Sequence, residues 1–151
     1  MSNTIDNFTA SHFFLSNFYP CAIPYEGITY PSTEHAFQAA KSHDIEVRKK
    51  IALLKTPADS KKAGRTLALR PDWNAVRLQV MEDVLRIKFA PGSPLAVGLL
   101  ATGDAMLIEG NTWGDAFWGV CKGRGQNNLG KILMKIRADL LSKEMDGYKK
   151  L

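Results

Sequence analysis

The sequence predicts a mainly α-helical fold with a small β-hairpin and short strands near the N-terminus. Three observations carry that expectation. Apolar residues recur every three or four positions over 73–87 and again over 129–140, the period of a helix with one buried face. Asp or Thr stands just ahead of several helical stretches, where a side-chain oxygen accepts a free backbone N–H. A Glu26-Gly27 pair separates two short segments of β-branched and aromatic character.

In chain order, the first ten residues read as a loose terminus. Ala22–Tyr25 and Ile28–Tyr30 flank the Glu26-Gly27 turn as hairpin strands, and the nearby prolines keep them short or at an edge. Ser32 or Thr33 caps a helix over about 33–43, with Glu34 in the first turn where the macrodipole favours an acid. Asp44 caps a second helix with Ile45, Ile51 and Leu54 among its apolar positions. Thr56 and Pro57 start a short third one. Asp72 precedes an amphipathic helix whose stripe is Trp73, Val76, Val80, Val84 and Ile87. The run Pro91-Gly92-Ser93-Pro94 ends it, and a short helix follows over about 94–101. Ala105–Glu109 is a short apolar strand. The last helix runs from about 128 to 142, with Leu129, Ile132, Leu133, Ile136 and Leu140 as its buried stripe.

A single domain over 1–151 is expected, because 151 residues suit one core. Apolar content of 45% and charged content of 23% are ordinary for a globular chain. No apolar run approaches the roughly 20 residues that span a bilayer, so no membrane partner is expected. The start, MSNTIDNFTASHFF, lacks the basic and apolar regions of a secretory leader. Cys21 and Cys121 form neither a disulfide framework nor a zinc motif. Buried free thiols and a cytoplasmic setting are the expectation. The net charge of +5 suits a phosphate-bearing ligand. The basic residues are spread rather than massed, so nucleic acid enters only as a substrate.

Chemistry concentrates in residues 109–137. Trp113 and Trp118 offer stacking surfaces, and Glu109 and Asp115 offer carboxylates. A Gly-rich loop with Lys122, Arg124 and Lys131 leads into the last helix, whose N-terminus favours anions. The loop binds phosphate on one reading and is an ordinary helix-start turn on the other. Gly125 to Lys131 matches the GxxxxGK of a P-loop, yet Ile132 stands where magnesium needs Ser or Thr, and the match is rejected. Asp115 either joins the chemistry or caps a turn.

Earlier in the chain, Glu34, Gln38 and Lys41 share a helix face at i, i+4 and i+7. The plain reading is a solvated polar face. The chemical one is a carboxylate kept ionised by a neighbouring cation. His12, His35 and His43 show no metal-ligand spacing, so neither metal nor cofactor is expected. Carboxylates near stacking aromatics suit cleavage of a glycosidic bond through an oxocarbenium-like state.

Four segments together carry a resemblance: Phe14–Pro20 (FLSNFYP), Tyr30–Lys41 (YPSTEHAFQAAK), Trp113–Gly119 (WGDAFWG) and Gly125–Met134 (GQNNLGKILM). In type and order they resemble the NADAR family, also called YbiA-like, over nearly the whole chain. The resemblance implies a mainly helical YbiA-like domain. It also implies hydrolysis of the N-glycosidic bond of ribosylated small molecules. The leading substrates are the early ribosylamino-pyrimidine phosphates of riboflavin biosynthesis. The alternatives are ADP-ribose removal from guanine in nucleic acid or nucleotides, and a non-catalytic sensor of ADP-ribose. By the resemblance Glu34, Asp115 and Lys41 are catalytic, with the roles of the two carboxylates open. By the resemblance Trp113 and Trp118 also fall at active-site positions and Asn17 and Asn127 in the matching binding loops; Gly119, Lys122 and Arg124 of the Gly-rich loop complete the expected substrate-binding set.

Overall fold

Helix caps account for most of the helix starts in the computed structural model, which describes residues 3–149. The elements in order are β1 (Thr4–Ile5), a 3₁₀ segment (Ala10–Leu15), β2 (Ile23–Tyr25), β3 (Ile28–Tyr30), α1 (Thr33–Ala39), α2 (Ile45–Ala52), α3 (Pro57–Gly64) and α4 (Trp73–Lys88). Then come α5 (Pro94–Ala101), β4 (Met106–Leu107), β5 (Gly110–Asn111), β6 (Val120–Cys121) and α6 (Asn128–Lys149). Ser32, Asp44, Thr56 and Ser93 each accept a backbone N–H of the first turn of α1, α2, α3 and α5. Such a cap stabilises a helix by about 1 kcal/mol. The chain forms two compact units: residues 17–88, and the segments up to 16 and from 89 onward.

Within 17–88, β2 and β3 pair antiparallel, with Tyr25 opposite Ile28. Glu26 and Gly27 both have positive φ, 48° and 86°, the signature of the tight turn that matches strand twist. The Glu26 carboxylate receives the buried Arg48 guanidinium at 2.8 Å, and Arg48 also donates to the Ser42 carbonyl. α1 packs on α2, α3 and α4. Phe37 meets Trp73 with ring centroids 5.1 Å apart.

In the other unit β1 runs parallel to β4, with Thr4 beside Met106 and Ile5 beside Leu107. β5 and β6 pair parallel, and α5 packs on α6. Arg137 on α6 donates to the Thr102 hydroxyl at 2.9 Å. Among the described residues no helix is long and apolar enough to cross a membrane.

Several expectations shift. The first ten residues are not all loose: the Met106 N–H bonds the Asn3 carbonyl and the Ile108 N–H bonds the Ile5 carbonyl. That pairing joins residues a hundred positions apart, so no local pattern announces it. α1 ends at Ala39, not near 43. The Lys41 and Ser42 carbonyls are taken instead by the Arg70 N–H and the Arg48 side chain. α6 continues to Lys149, beyond 142, through exposed residues that extend no apolar stripe. On α4, Met81, Leu85 and Lys88 are buried while Val76 and Ile87 are half-buried, so its inner face is rotated from the expected one. The strand expected over Ala105–Glu109 is present as the shorter β4, and β5 and β6 are further short strands of the C-terminal half. Cys21 and Cys121 are free thiols but partly exposed rather than buried.

His35 shows how tightly α1 is fitted. Its Nε2 lies 3.0 Å from the Leu54 carbonyl, which only accepts, so Nε2 carries the proton. Nδ1 then accepts the Ser32 hydroxyl at 2.7 Å. Burial lowers the His35 pKa below the ordinary value, and the Leu54 bond offsets part of that.

Two predictions follow from these contacts. The unfolded state takes up the His35 proton more readily than the folded state does, so stability falls as pH drops through about 6.5. The urea midpoint should therefore decline between about pH 7.5 and about 5.5, and the His35→Gln variant should show a flatter profile. On α6, a Cβ at Gly130 would lie 2.0 Å from the Leu107 carbonyl oxygen, whereas one at Gly147 meets nothing within 4 Å. Gly130→Ala should cost about 2 kcal/mol by overpacking, and Gly147→Ala should stabilise by about 0.5 kcal/mol, both read by urea unfolding with an unchanged slope.

Candidate functional site

Every residue of α1 is buried, including Glu34, His35 and Gln38. The solvated polar face expected for this helix is absent. Its polar side chains are met inside the unit, as burial demands, apart from the Gln38 side-chain oxygen, which has no hydrogen-bond partner. Glu34 is 7% exposed. Its backbone N–H donates to the Asn17 carbonyl at 3.2 Å. Its Oε1 accepts the Gln38 side-chain N–H at 2.8 Å.

Asn17 fixes the start of this helix. Its Oδ1 accepts the Thr33 hydroxyl at 2.7 Å, and its amide nitrogen faces the Met81 sulfur at 3.5 Å. Asn17 therefore lies directly beside Glu34, on backbone that precedes the hairpin. Lys41 is half-buried just past the end of α1. Burial lowers its pKa below the usual value, the Glu34 charge raises it in part, and Arg65 and Lys61 lower it further. The structure thus brings Asn17, Glu34, Gln38 and Lys41 together.

Lys88 was not singled out by sequence. It is 4% exposed near the end of α4, with its ammonium 5.5 Å from the centre of the Tyr19 ring. Burial pushes its pKa down to about 8, opposed by Cys21. Its only signal was its spacing, four residues after Val84 on the apolar face.

In the other unit, Asp115 braces a turn. Its Oδ1 accepts the N–H groups of Phe117 at 3.1 Å and Trp118 at 2.9 Å. Asn111 clamps the same residue by donating to its carbonyl and accepting its N–H. Trp118 is half-buried edge-on against Phe117, with centroids 4.9 Å apart. Trp113 is 63% exposed. A Cβ at Gly119 would lie 1.9 Å from the Glu109 carboxylate and 2.1 Å from the Glu109 carbonyl oxygen, so only glycine fits.

The Gly-rich loop is a tight turn. Cys121 and Arg124 exchange both backbone hydrogen bonds, at 2.8 and 3.1 Å. Lys122 and Gly123 between them have positive φ. The N–H groups of Gln126, Asn127, Asn128 and Leu129 all bond carbonyls of residues 116–119. Any phosphate held by this loop therefore relies on the exposed Lys122 and Arg124 side chains rather than on those backbone donors. Asn127 is buried, with its amide shared between the Leu107 carbonyl and the Glu109 N–H. Among the described residues no group of three or more His, Cys, Asp or Glu side chains could hold a metal.

Known proteins share this architecture. The NMR structure of YbiA from Escherichia coli superposes with a TM-score of 0.83 at 37% identity, covering 96% of this chain and 89% of that one. The N-glycosidase YbiA of Escherichia coli is 39% identical over 93% of this chain and 91% of its own length. An N-glycosidase of Nostoc punctiforme is 36% identical, with 83% of each chain covered. A riboflavin biosynthesis protein of Vibrio vulnificus is 42% identical over 86% of this chain, which spans 36% of that longer protein. The NADAR domain model matches residues 5–141. With the mainly helical fold in place, this match makes the chain a member of the NADAR domain family.

Proposed function

We propose that this chain is an N-glycosidase that hydrolyses the N-glycosidic bond of ribosylated small molecules. The substrate class is the early ribosylamino-pyrimidine phosphates of riboflavin biosynthesis. The observation that carries the reading is the buried Glu34 carboxylate, oriented by Gln38, with the half-buried cation of Lys41 in its field. Relatives named as N-glycosidases and as riboflavin biosynthesis proteins support both the reaction and the substrate class.

Cleavage of this bond builds positive charge on the ribose ring. A carboxylate removed from water stabilises such charge more strongly than a solvated one. Glu34 is assigned that role, or the activation of the attacking water. Water adds to the anomeric carbon as the carbon–nitrogen bond breaks. The departing base keeps the bond's electron pair and gains a proton, and the products are free base and ribose 5-phosphate. Lys41 holds a ribose oxygen or balances charge. Asn17 holds the helix that carries Glu34. Asp115, first considered as a second carboxylate, is assigned to shaping its loop, because its Oδ1 serves two backbone N–H groups. Trp113, Trp118, Lys122 and Arg124 are assigned to substrate binding, with Gly119 and Asn127 supporting their loop. Water is the only co-reactant in this scheme. The free thiols suit a cytoplasmic setting.

Mass spectrometry of products tests the reading. A ribosylamino-pyrimidine phosphate should yield ribose 5-phosphate, and Glu34→Gln should lower turnover about a thousandfold with thermal unfolding little changed. Release of ADP-ribose from ADP-ribosylated guanine in a parallel reaction would move the substrate class instead. Near-normal turnover in the variant would remove Glu34 from the chemistry. Trp113→Ala should raise KM about tenfold with kcat nearly unchanged, as loss of a stacking surface predicts.

A further inference from the structure

The contact that orients Glu34 is one-sided. A carboxylate only accepts hydrogen bonds, so the Gln38 amide must present its nitrogen to Glu34. The bond is 2.8 Å long and buried. That choice sends the Gln38 carbonyl oxygen the opposite way, where it is buried with no hydrogen-bond partner. It points at Gly64, the last residue of α3. A Cβ built there would lie 1.8 Å from that oxygen and 2.7 Å from the amide carbon. Only the hydrogen of a glycine leaves room. Gly64 is itself buried, and its sequence context, KKAGRT, is that of an ordinary helix end.

We propose that Gln38 is the positioning residue for Glu34, and that Gly64 on α3 must be glycine so that the Gln38 amide can hold this orientation. The proposal rests on the assignment of Glu34 above and adds two residues to that site. A buried carbonyl without a partner is costly, and such a group persists where its other end is needed. The N–H of Gln38 stabilises the ionised carboxylate and fixes which of its oxygens faces the reaction. The charged groups around α1 are few. Lys41 acts on Glu34, Lys61 of α3 and Arg65 just past its end act on Lys41, and Asp59 of α3 acts on His35. Arg48 of α2 is engaged by Glu26 and Ser42. Lys88 of α4 lies against Tyr19. His35 is held neutral between Ser32 and Leu54.

The test compares Gln38→Met, Gln38→Glu and Gly64→Ala in the full chain, by pH–rate profile and by carboxyl ¹³C NMR titration of Glu34. Gln38→Met keeps the bulk and removes the donor. It should raise the acidic limb of kcat and the Glu34 titration by about one pH unit. It should also lower kcat about tenfold or more at neutral pH while KM stays within about twofold. Gln38→Glu keeps the shape and adds a like charge, so its shift should be larger. Gly64→Ala should shift both in the same direction as Gln38→Met, by expelling the amide. An unchanged titration and pH profile in folded variants, with only a lower melting temperature, overturns the inference. A shifted titration in a protein that cleaves none of the substrates overturns the N-glycosidase reading and leaves the Gln38–Glu34 pairing standing.

Discussion

A carboxylate buried on a helix with no exposed face is the constraint around which residues 17–88 are organised. Leaving a buried polar group unpaired costs on the order of 1–3 kcal/mol. α1 carries four of them in Thr33, Glu34, His35 and Gln38. Each is met by a group from a different stretch of chain or from the helix itself. Asn17 bonds the Thr33 hydroxyl and the Glu34 N–H. Ser32 and Leu54 hold the two His35 nitrogens. Gln38 meets Glu34, and its own carbonyl is left against Gly64. The strands, the caps and the packing of α2, α3 and α4 bring these partners to one short helix.

The loop of residues 109–127 follows a different logic. Its backbone groups satisfy one another, and its side chains Asn111, Asp115 and Asn127 bond mainly to backbone. Geometry sets its glycines, among them Gly119 by its approach to Glu109 and Gly123 by its turn. Trp113, Lys122 and Arg124 stay exposed on it. The glycines that suggest a phosphate cradle in sequence also meet the requirements of a tight backbone turn.

The two units surround their polar groups in different ways. Charge development needs a fixed carboxylate in a poorly solvated place, where its field is least screened. Substrate recognition tolerates exposed aromatic and cationic side chains, since stacking and ion pairing act at the surface. Glu34 is buried, whereas Trp113 is exposed.

The sequence by itself determined the helices and their starts. The caps at Asp44 and Thr56, the proline-led helix at 94 and the Glu26-Gly27 turn are local signals, and local backbone energetics decide them. The family was legible too, because its segments are short, ordered and specific. What only the tertiary structure decided was the state of each polar side chain. Glu34, Gln38 and Lys41 read first as a solvated face, whereas Glu34 and Gln38 are buried against α3, where nothing in the sequence marks Gly64 as a neighbour of Gln38. Asp115 and Asn127 read as ligand contacts, yet backbone groups from other residues claim them. Lys88 drew no notice in the sequence, yet it is buried with its ammonium over the Tyr19 ring. The pairing of Thr4–Ile5 with Met106–Leu107 has no local cause at all. Periodicity and caps act within a few residues, whereas the partner of a buried polar atom is chosen by packing between distant segments.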